Sequence, residues 1–574
     1  MVDLKRKPFN LNDNDIKWVK ETLANMDIEA KVGQLFCLLG QTEDEDEIRN
    51  MLKIIKPGGF MFRPFAGASI QKLHRFLQEN AEIPLLLAAN LERGGDGIAL
   101  DGTCFGAQMQ VAATDDENMA YRLGLVCGRE GRAVGCNWTF SPVVDLDINH
   151  QNPITNTRTF GSDPVRVLRM ALAYVKGVRE CGLAVSIKHW PGDGIDGRDQ
   201  HLVTSINSLS IDEWDETYGK IYKGMIDAGA NTVMAAHIML PAYSRKFKPD
   251  IKDEELMPAT LAPEINYNLL REKLGFNGLI VTDATLMAGF TIAMSRELAV
   301  PTTIASGCDM FLFPIDIRED FEFIMKGIQN GILTIERLDE AVTNILALKA
   351  SLKLYKQKEE RTLVPDEKEL NVLNCSEHKK WAEECADKAI TLVKDTQKIL
   401  PLSPQNHKRI LLFVLGDIGG YMDDNIEGFG TKFRNLLEKK GFIVTEFNDL
   451  NPRGATWDKP VGKLKPVRDL KEEYDLMLYF ANVKTLSNQT VVRINWAMPM
   501  GIDVPKFIND IPTVFVSVAS PYHLQDVPRV KTYINGYNGS DCVIEALVEK
   551  LLGKSTFKGI NTVDPFCGYW EAKL

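Results

Sequence analysis

Short apolar runs alternate with longer amphipathic stretches through the first two-thirds of the chain. That alternation limits the fold more than any other feature. The runs are IPLLLAA (83–89), NWTFSPV (137–143), LAVSIK (183–188), TVMAA (232–236), GLIVT (278–282) and MFLF (310–313). Between them lie stretches such as DPVRVLRMALAYVKGVREC (163–181) and LDEAVTNILALKASLKLY (338–355). Strands without a polar face must be covered on both sides, and the intervening helices supply the cover. Over roughly 350 residues this predicts a (β/α)8-type parallel barrel, an α/β fold.

The polar residues with chemical potential fall just after these runs. Asn90 and Glu92 follow the first, Lys188 and His189 close the third, His237 follows the fourth and Asp283 the fifth. In a barrel of this kind the C-terminal strand ends carry the site. A charged segment, KQKEERTLVPDEKELNVLNCSEHKK (356–380), interrupts the pattern, and β/α alternation resumes at RILLFVL (409–415), FIVTEF (442–447), DLMLYFA (475–481) and TVFVSVA (513–519). The expected organisation is a barrel over 1–360, a connecting segment over 361–385 and a second α/β domain over 386–574.

Composition narrows the class. The chain has 574 residues, enough for two to four domains, and a net charge of -11 that disfavours a nucleic-acid or anionic-membrane partner. The ten cysteines are scattered without a C-x-x-C pair, which argues against a zinc ribbon or a redox motif. The N-terminus lacks the apolar core of a secretory signal and no run reaches membrane-spanning length, so a soluble cytoplasmic protein is expected.

The densest cluster is KHWPGDGIDGRDQH (188–201). Its Gly192, Gly194 and Gly197 match G-x-G-x-x-G, but Pro191 precedes the first glycine and no apolar helix follows, so a dinucleotide turn is disfavoured. Asp193, Asp196 and Asp199 with two histidines suggest a metal loop, but neither the Ca²⁺-loop nor the H-E-x-x-H pattern is present. No metal and no cofactor are expected. The third reading is acid–base chemistry. A carboxylate two residues from a histidine, as in Asp199 and His201, can hold one ring nitrogen and raise the basicity of the other. Asp283 at a second strand end would complete a two-group site suited to acetal hydrolysis. Each half has a plain structural alternative, a solvated loop or a helix-capping Asp.

The ordered motifs KVGQLF (31–36), KPGGFMF (56–62), FSPVVDLD (140–147), NPITNTRTFGSDP (152–164), KHWPGDGIDGRDQH (188–201), AAHIMLPA (235–242), LLREKLGFNGLIVTDATLMAG (269–289) and SGCDMFLFP (306–314) resemble glycoside hydrolase family 3. The resemblance is to its β-N-acetylglucosaminidase branch and extends to AITLVKD (389–395), LPL (400–402) and SPYHL (520–524). It implies a TIM-like barrel followed by an αβα sandwich and a retaining mechanism. It implies Asp283 as nucleophile, His201 as acid/base with Asp199 as its partner, and Lys188, His189 and Arg158 on sugar hydroxyls, with Asn90 and Glu92 at the same binding site. The expected substrate is a β-linked N-acetylglucosaminide, with peptidoglycan fragments as the family's suggestion.

Two positions depart from the family pattern. Asn90 stands where D-x-E-G-G-R begins with Asp, and Asp193 stands where P-G-H-G carries His. An amide binds a hydroxyl more weakly than a carboxylate does. An extra carboxylate near the loop would raise the pKa of His201 if the two came close. The glycines of the loop are expected to give it freedom to move. Phosphorolysis, β-glucosidase or β-xylosidase specificity, and a degraded sugar-binding protein stay open as alternatives, as do the aglycone and the oligomeric state. Trp190 is either a stacking surface for sugar or a core residue.

Overall fold

Eight parallel strands close into a barrel in a computed structural model of the protein. They are β1 (Phe36–Gly40), β2 (Gly59–Phe62), β3 (Leu86–Ala89), β4 (Trp138–Thr139), β5 (Ala184–Trp190), β6 (Thr232–Ala235), β7 (Leu279–Ala284) and β8 (Met310–Leu312). Each pairs in parallel with its sequence neighbour, and β1 pairs with β8 to close the ring. The structure describes residues 2–416, 428–447, 466–484, 487–490, 492–497 and 501–574.

Six of these strands coincide with the expected apolar runs. The other two, β1 and β2, read FCLLG and GFMF. Neither contains a β-branched residue and each includes a glycine, so Phe is the one strand-favouring residue type in them. The central strand β5 is buried at all seven positions. That is what a strand between two parallel neighbours and a helical layer requires. The long amphipathic stretch after β4 forms helix Pro164–Glu180, capped by Asp163, which accepts from the Val165 backbone N–H, with Pro164 at the first turn.

The described residues cluster into two compact units. The first holds the barrel and runs to Lys379, except for Gly106–Asp116 and Asn156–Gly161, which cluster with the second. The segment 361–385 is not bare linker: it contains a 3-10 turn, Glu367–Val372, and the start of helix Ser376–Ala389.

The second unit is built on a six-stranded sheet of β9 (Thr391–Asp395), β10 (Arg409–Leu415), β11 (Ile443–Glu446), β12 (Leu476–Ala481), β13 (Thr513–Ser517) and β14 (Thr532–Asn535). Its order is β9-β14-β13-β12-β10-β11, parallel except for β9 against β14. Alternation sorts its two faces. Ile410 and Leu412 pack with Phe433, Leu437, Leu547 and Leu551 from two helices. Leu411 and Phe413 face the other way, where Phe413, Tyr479, Phe515 and Tyr533 stack in a row at 4.4, 5.7 and 5.4 Å between ring centres. Among the described residues no helix is long and apolar enough to cross a membrane.

Candidate active site

Two barrel strands carry an extra residue at their C-terminal ends. Against β6, the β5 register slips between Ile187 and Trp190, so that Lys188 and His189 sit in the bulge. Against β8, the β7 register slips between Val281 and Ala284, where Asp283 lies. In a regular strand, consecutive side chains point to opposite faces. A bulge breaks that rule and re-aims side chains, which is why such irregularities gather at barrel rims. The peptide between Lys188 and His189 is cis.

Lys188 reaches toward β3. Its Nζ lies 2.6 Å from Glu92 Oε1 and donates to Asn90 Oδ1 at 3.3 Å. The lysine side chain is 4% exposed and the glutamate 17%, so this ion pair is largely removed from water. Asn90 occupies a position expected to bind sugar, and its amide oxygen is one of the acceptors that hold Lys188.

His189 reaches toward β4 and β7. Its Nδ1 is 2.6 Å from Asp145 Oδ2, and its backbone N–H donates to Asp145 Oδ1 at 3.0 Å. On the other side, Nε2 lies 4.0 Å from Asp283 Oδ2. Asp283 accepts a backbone hydrogen bond from Ala284 N at 2.7 Å. Burial works to raise the Asp283 pKa, but His189, His237, His201 and the Ala284 backbone hydrogen bond together outweigh it and hold the carboxyl below its ordinary value. His237 is fully buried and donates from Nε2 to the Ala284 carbonyl at 3.0 Å. Burial pulls its pKa down, against the pull of Asp283.

The loop after β5 brings the second group into place. His201 Nδ1 lies 2.6 Å from Asp199 Oδ1, and the same oxygen accepts from the His201 backbone N–H at 2.9 Å. A carboxylate only accepts, so Nδ1 carries the hydrogen and Nε2 is left to exchange a proton. The Asp199 side chain has no exposure, while His201 is 26% exposed. Backbone bonds tie this loop to the turn after Asp283. Ala288 N donates to His201 O at 2.9 Å and Gly289 N to Gln200 O at 3.2 Å. An imidazole held by a carboxylate and a separate ionised carboxylate are the two groups a retaining displacement needs.

Two of the loop glycines occupy positions where only glycine fits. Gly192 and Gly194 have φ of +122° and +101°. A Cβ at Gly192 would lie 2.3 Å from the Tyr218 ring, and one at Gly194 would lie 1.8 Å from the Leu146 carbonyl oxygen. Both conformation and space therefore demand glycine there. Only Gly197 has room, with 3.5 Å to its nearest neighbour. Two of the three loop glycines are thus required by the conformation itself.

Asp193 is buried and held within the loop. Its Oδ1 accepts from Asn152 Nδ2 at 2.9 Å and Gly194 N at 2.7 Å, and Oδ2 from Gln200 Nε2 at 3.5 Å. Burial, then the neighbouring Asp145 carboxylate, push its pKa up to about 8. Trp190 is fully buried, edge-on to Trp214 and Tyr222, and belongs to the core. Arg158 ends the 3-10 turn Asn156–Arg158, in the segment that clusters with the second unit. Among the described residues no group of three or more His, Cys, Asp or Glu is arranged to hold a metal ion.

Asp145 is the residue that the sequence reading left out. It follows the NWTFSPV run in FSPVVDLD, the same signal that singled out Asp283. His237 was noted at a strand end but not assigned to the site.

A family model for the glycosyl hydrolase family 3 N terminal domain matches residues 27–348. A Cellulomonas fimi protein described as a beta-N-acetylglucosaminidase/beta-glucosidase is 46% identical over 575 residues, covering all of both chains. Beta-hexosaminidase A of Pseudoalteromonas piscicida is 29% identical over 57% of this chain and 56% of its own length. The solved structure of a beta-glucoside phosphorylase, BglX, superposes with a TM-score of 0.92 at 46% identity, covering 99% of each chain. A family 3 β-N-acetylglucosaminidase from Paenibacillus sp. str. FPU-7 shares the fold, with a TM-score of 0.76 at 22% identity over 95% of this chain and 100% of that one. The chain belongs to glycosyl hydrolase family 3 and is a glycoside hydrolase acting on carbohydrate.

Proposed function

We propose that the enzyme removes terminal β-linked N-acetylglucosamine with retention of configuration. Asp283 attacks the anomeric carbon, and the bond to the leaving oxygen breaks as His201 Nε2 donates its proton there. In the second half, His201 Nε2 takes a proton from the acceptor as its oxygen displaces Asp283. Asp199 holds the ring's other nitrogen through both halves. The observation that carries this reading is the 2.6 Å Asp199–His201 pair on a loop bonded to the turn after Asp283. Lys188, His189, Asn90 and Glu92 line the strand ends where sugar hydroxyls would lie, and the family pattern adds Arg158. Peptidoglycan fragments are the natural-substrate class that this reading favours.

The test compares aryl β-N-acetylglucosaminide with aryl β-glucoside at equal concentration, with the product anomer followed by NMR. A β-anomer as first product and a higher kcat/KM on the N-acetyl sugar support the proposal. An α-anomer, or a preference for the glucoside, refutes the corresponding part.

A second reading has its own support: a phosphate acceptor and a glucoside donor. Asn90 departs from the family's Asp, and the 46% identical structure is named a beta-glucoside phosphorylase. A neutral imidazole acting as base does not repel an anionic acceptor as a carboxylate would. Glycosyl phosphate formed at millimolar phosphate would establish it, and free sugar alone would end it.

A reducing compartment such as the cytoplasm fits this enzyme. Its support is that all ten cysteines are free thiols.

A further inference from the structure

Two carboxylate–imidazole pairs of equal length stand at the ends of the β5 loop. Asp199 holds His201 at 2.6 Å, and Asp145 holds His189 at 2.6 Å. The first pair has a role in the proposed reaction. The second is the more completely enclosed: Asp145 has no exposure, and the His189 side chain is 7% exposed.

Both oxygens of Asp145 are engaged. Oδ1 accepts from the backbone N–H of His189 at 3.0 Å and of Asp193 at 2.8 Å. Oδ2 accepts from His189 Nδ1 at 2.6 Å. These bonds clamp both ends of the turn from His189 to Asp193, which Gly192 N closes on His189 O at 2.6 Å. Because a carboxylate cannot donate, the ring hydrogen is fixed on Nδ1. Nε2 is thereby aimed at the Asp283 side, 4.0 Å from Oδ2. The spacing leaves His189 Nε2 beside the carboxylate without direct hydrogen bonding, where it can accept from a substrate hydroxyl and carry positive charge when protonated.

We infer that Asp145 is a positioning residue for the glycosidase reaction: it fixes the tautomer and direction of His189, so that Nε2 serves the substrate beside Asp283. The inference rests on the reading of Asp283 as nucleophile. An imidazole free to rotate or to change tautomer would present an N–H to the sugar oxygen where a lone pair is needed. A wrong tautomer is costly even when all heavy atoms stay in place.

A double-mutant cycle tests it, with Asp145→Asn, His189→Gln and the pair measured on one aryl glycoside. The asparagine keeps the size of the side chain and an oxygen for the backbone N–H groups, but cannot accept from Nδ1–H in the same way. Asp145→Asn is expected to lower kcat/KM about 10- to 100-fold in the wild-type background, the loss seen where a carboxylate that orients a metal-bound imidazole is removed. In the His189→Gln background the further loss should be under about twofold, because the interaction it removes is already gone. Equal losses in both backgrounds would make Asp145 a backbone clamp only and overturn the inference. So would wild-type kcat/KM in Asp145→Asn.

Asp283→Ala is measured beside them. If it keeps full activity, the nucleophile reading fails and takes this inference with it. If it is inactive while Asp145→Asn equals the wild type, only this inference fails. Should Asp145→Asn not fold, ¹⁵N-histidine NMR of the wild type decides, with His189 assigned by its loss in His189→Gln. A hydrogen-bearing Nδ1 on His189 supports the inference, and a bare Nδ1 overturns it.

Discussion

His189 Nε2 stands 4.0 Å from Asp283 Oδ2, with the Asp145 carboxylate 2.6 Å behind the same ring. The imidazole is thus held between two carboxylates, one that fixes it and one that it influences. His237 and His201 act in the same direction on Asp283, and with the hydrogen bond from Ala284 N they outweigh the effect of burial. The carboxyl is therefore ionised through the neutral range, as a nucleophile must be.

The acid side of the pH profile checks this. Asp283 is held below the ordinary carboxylate value of about 4, so its own protonation should limit kcat/KM only below that pH. Taking away a nearby imidazole removes a stabiliser of the anion, and the carboxyl pKa rises. His189→Gln should accordingly move the limb set by Asp283 to higher pH, besides weakening substrate binding. The same limb in both proteins would show that His189 carries no charge that Asp283 feels.

His201 and Asp199 make a different prediction, read through the leaving group. An aryl glycoside with an acidic phenol needs little protonation as it departs, and an alkyl glycoside needs much. His201→Gln should cost about 10²–10⁴-fold in kcat/KM on poor leaving groups and far less on activated ones. Asp199→Asn should show the same trend with a shallower slope, because the imidazole remains but loses its fixed hydrogen on Nδ1. An equal loss on every leaving group would mean that the dyad supports structure and not proton transfer.

Much of this site was legible because barrels place chemistry at strand ends. Asp283, Lys188 and His189 are polar residues at the ends of apolar runs, and Asp199 and His201 are near enough in sequence to pair without knowledge of the fold. Asp145 carried the same strand-end signal. What the sequence could not convey is that its partner, His189, lies one strand away across a bulge. The glycines failed for a related reason. The space for a Cβ is closed by the Tyr218 ring at Gly192 and by the Leu146 carbonyl at Gly194, neighbours that only the folded chain brings close. The strands β1 and β2 escaped because they are short, each holds a glycine and no β-branched residue, and Phe alone carries a strand preference in them.

The glycines give a contrast within one loop. Gly194→Ala combines a positive φ with a Cβ 1.8 Å from a backbone oxygen, so the loop must shift. It should lose more than about 2 kcal/mol of stability, or keep stability only by displacing the dyad and losing activity. Gly197→Ala meets nothing closer than 3.5 Å and should change stability by less than about 1 kcal/mol. Thermal melts and kcat/KM of the two variants, taken together, measure the difference. Similar behaviour of both would restore the view of these glycines as a flexible stretch.

Asp193 yields a prediction about stability and pH. Burial and the Asp145 carboxylate push its pKa up to about 8, against the donors Gly194 N and Asn152 Nδ2. In the unfolded chain the same group titrates near the ordinary value of about 4. Between those two values the native state holds a proton that the unfolded state has released. The Asp193 contribution to stability is therefore complete below about pH 4 and is lost as the pH rises toward 8. Asp193→Asn removes that dependence. Its oxygen can keep the bonds from Asn152 and Gly194, while its amide nitrogen meets Gln200 Nε2, a second donor whose own oxygen is committed to His237 N at 3.0 Å. A fixed cost is expected at every pH, set against a relief that grows as the wild-type carboxyl ionises. The difference in Tm, variant minus wild type, should consequently become more positive from pH 5 to pH 8. Buried groups common to both proteins, such as Lys349 with its pKa pulled down to about 7 by burial, cancel in that difference. Parallel melting curves across the range would mean that Asp193 is already ionised at pH 5, with Asn152 and Gly194 strong enough to offset both burial and Asp145.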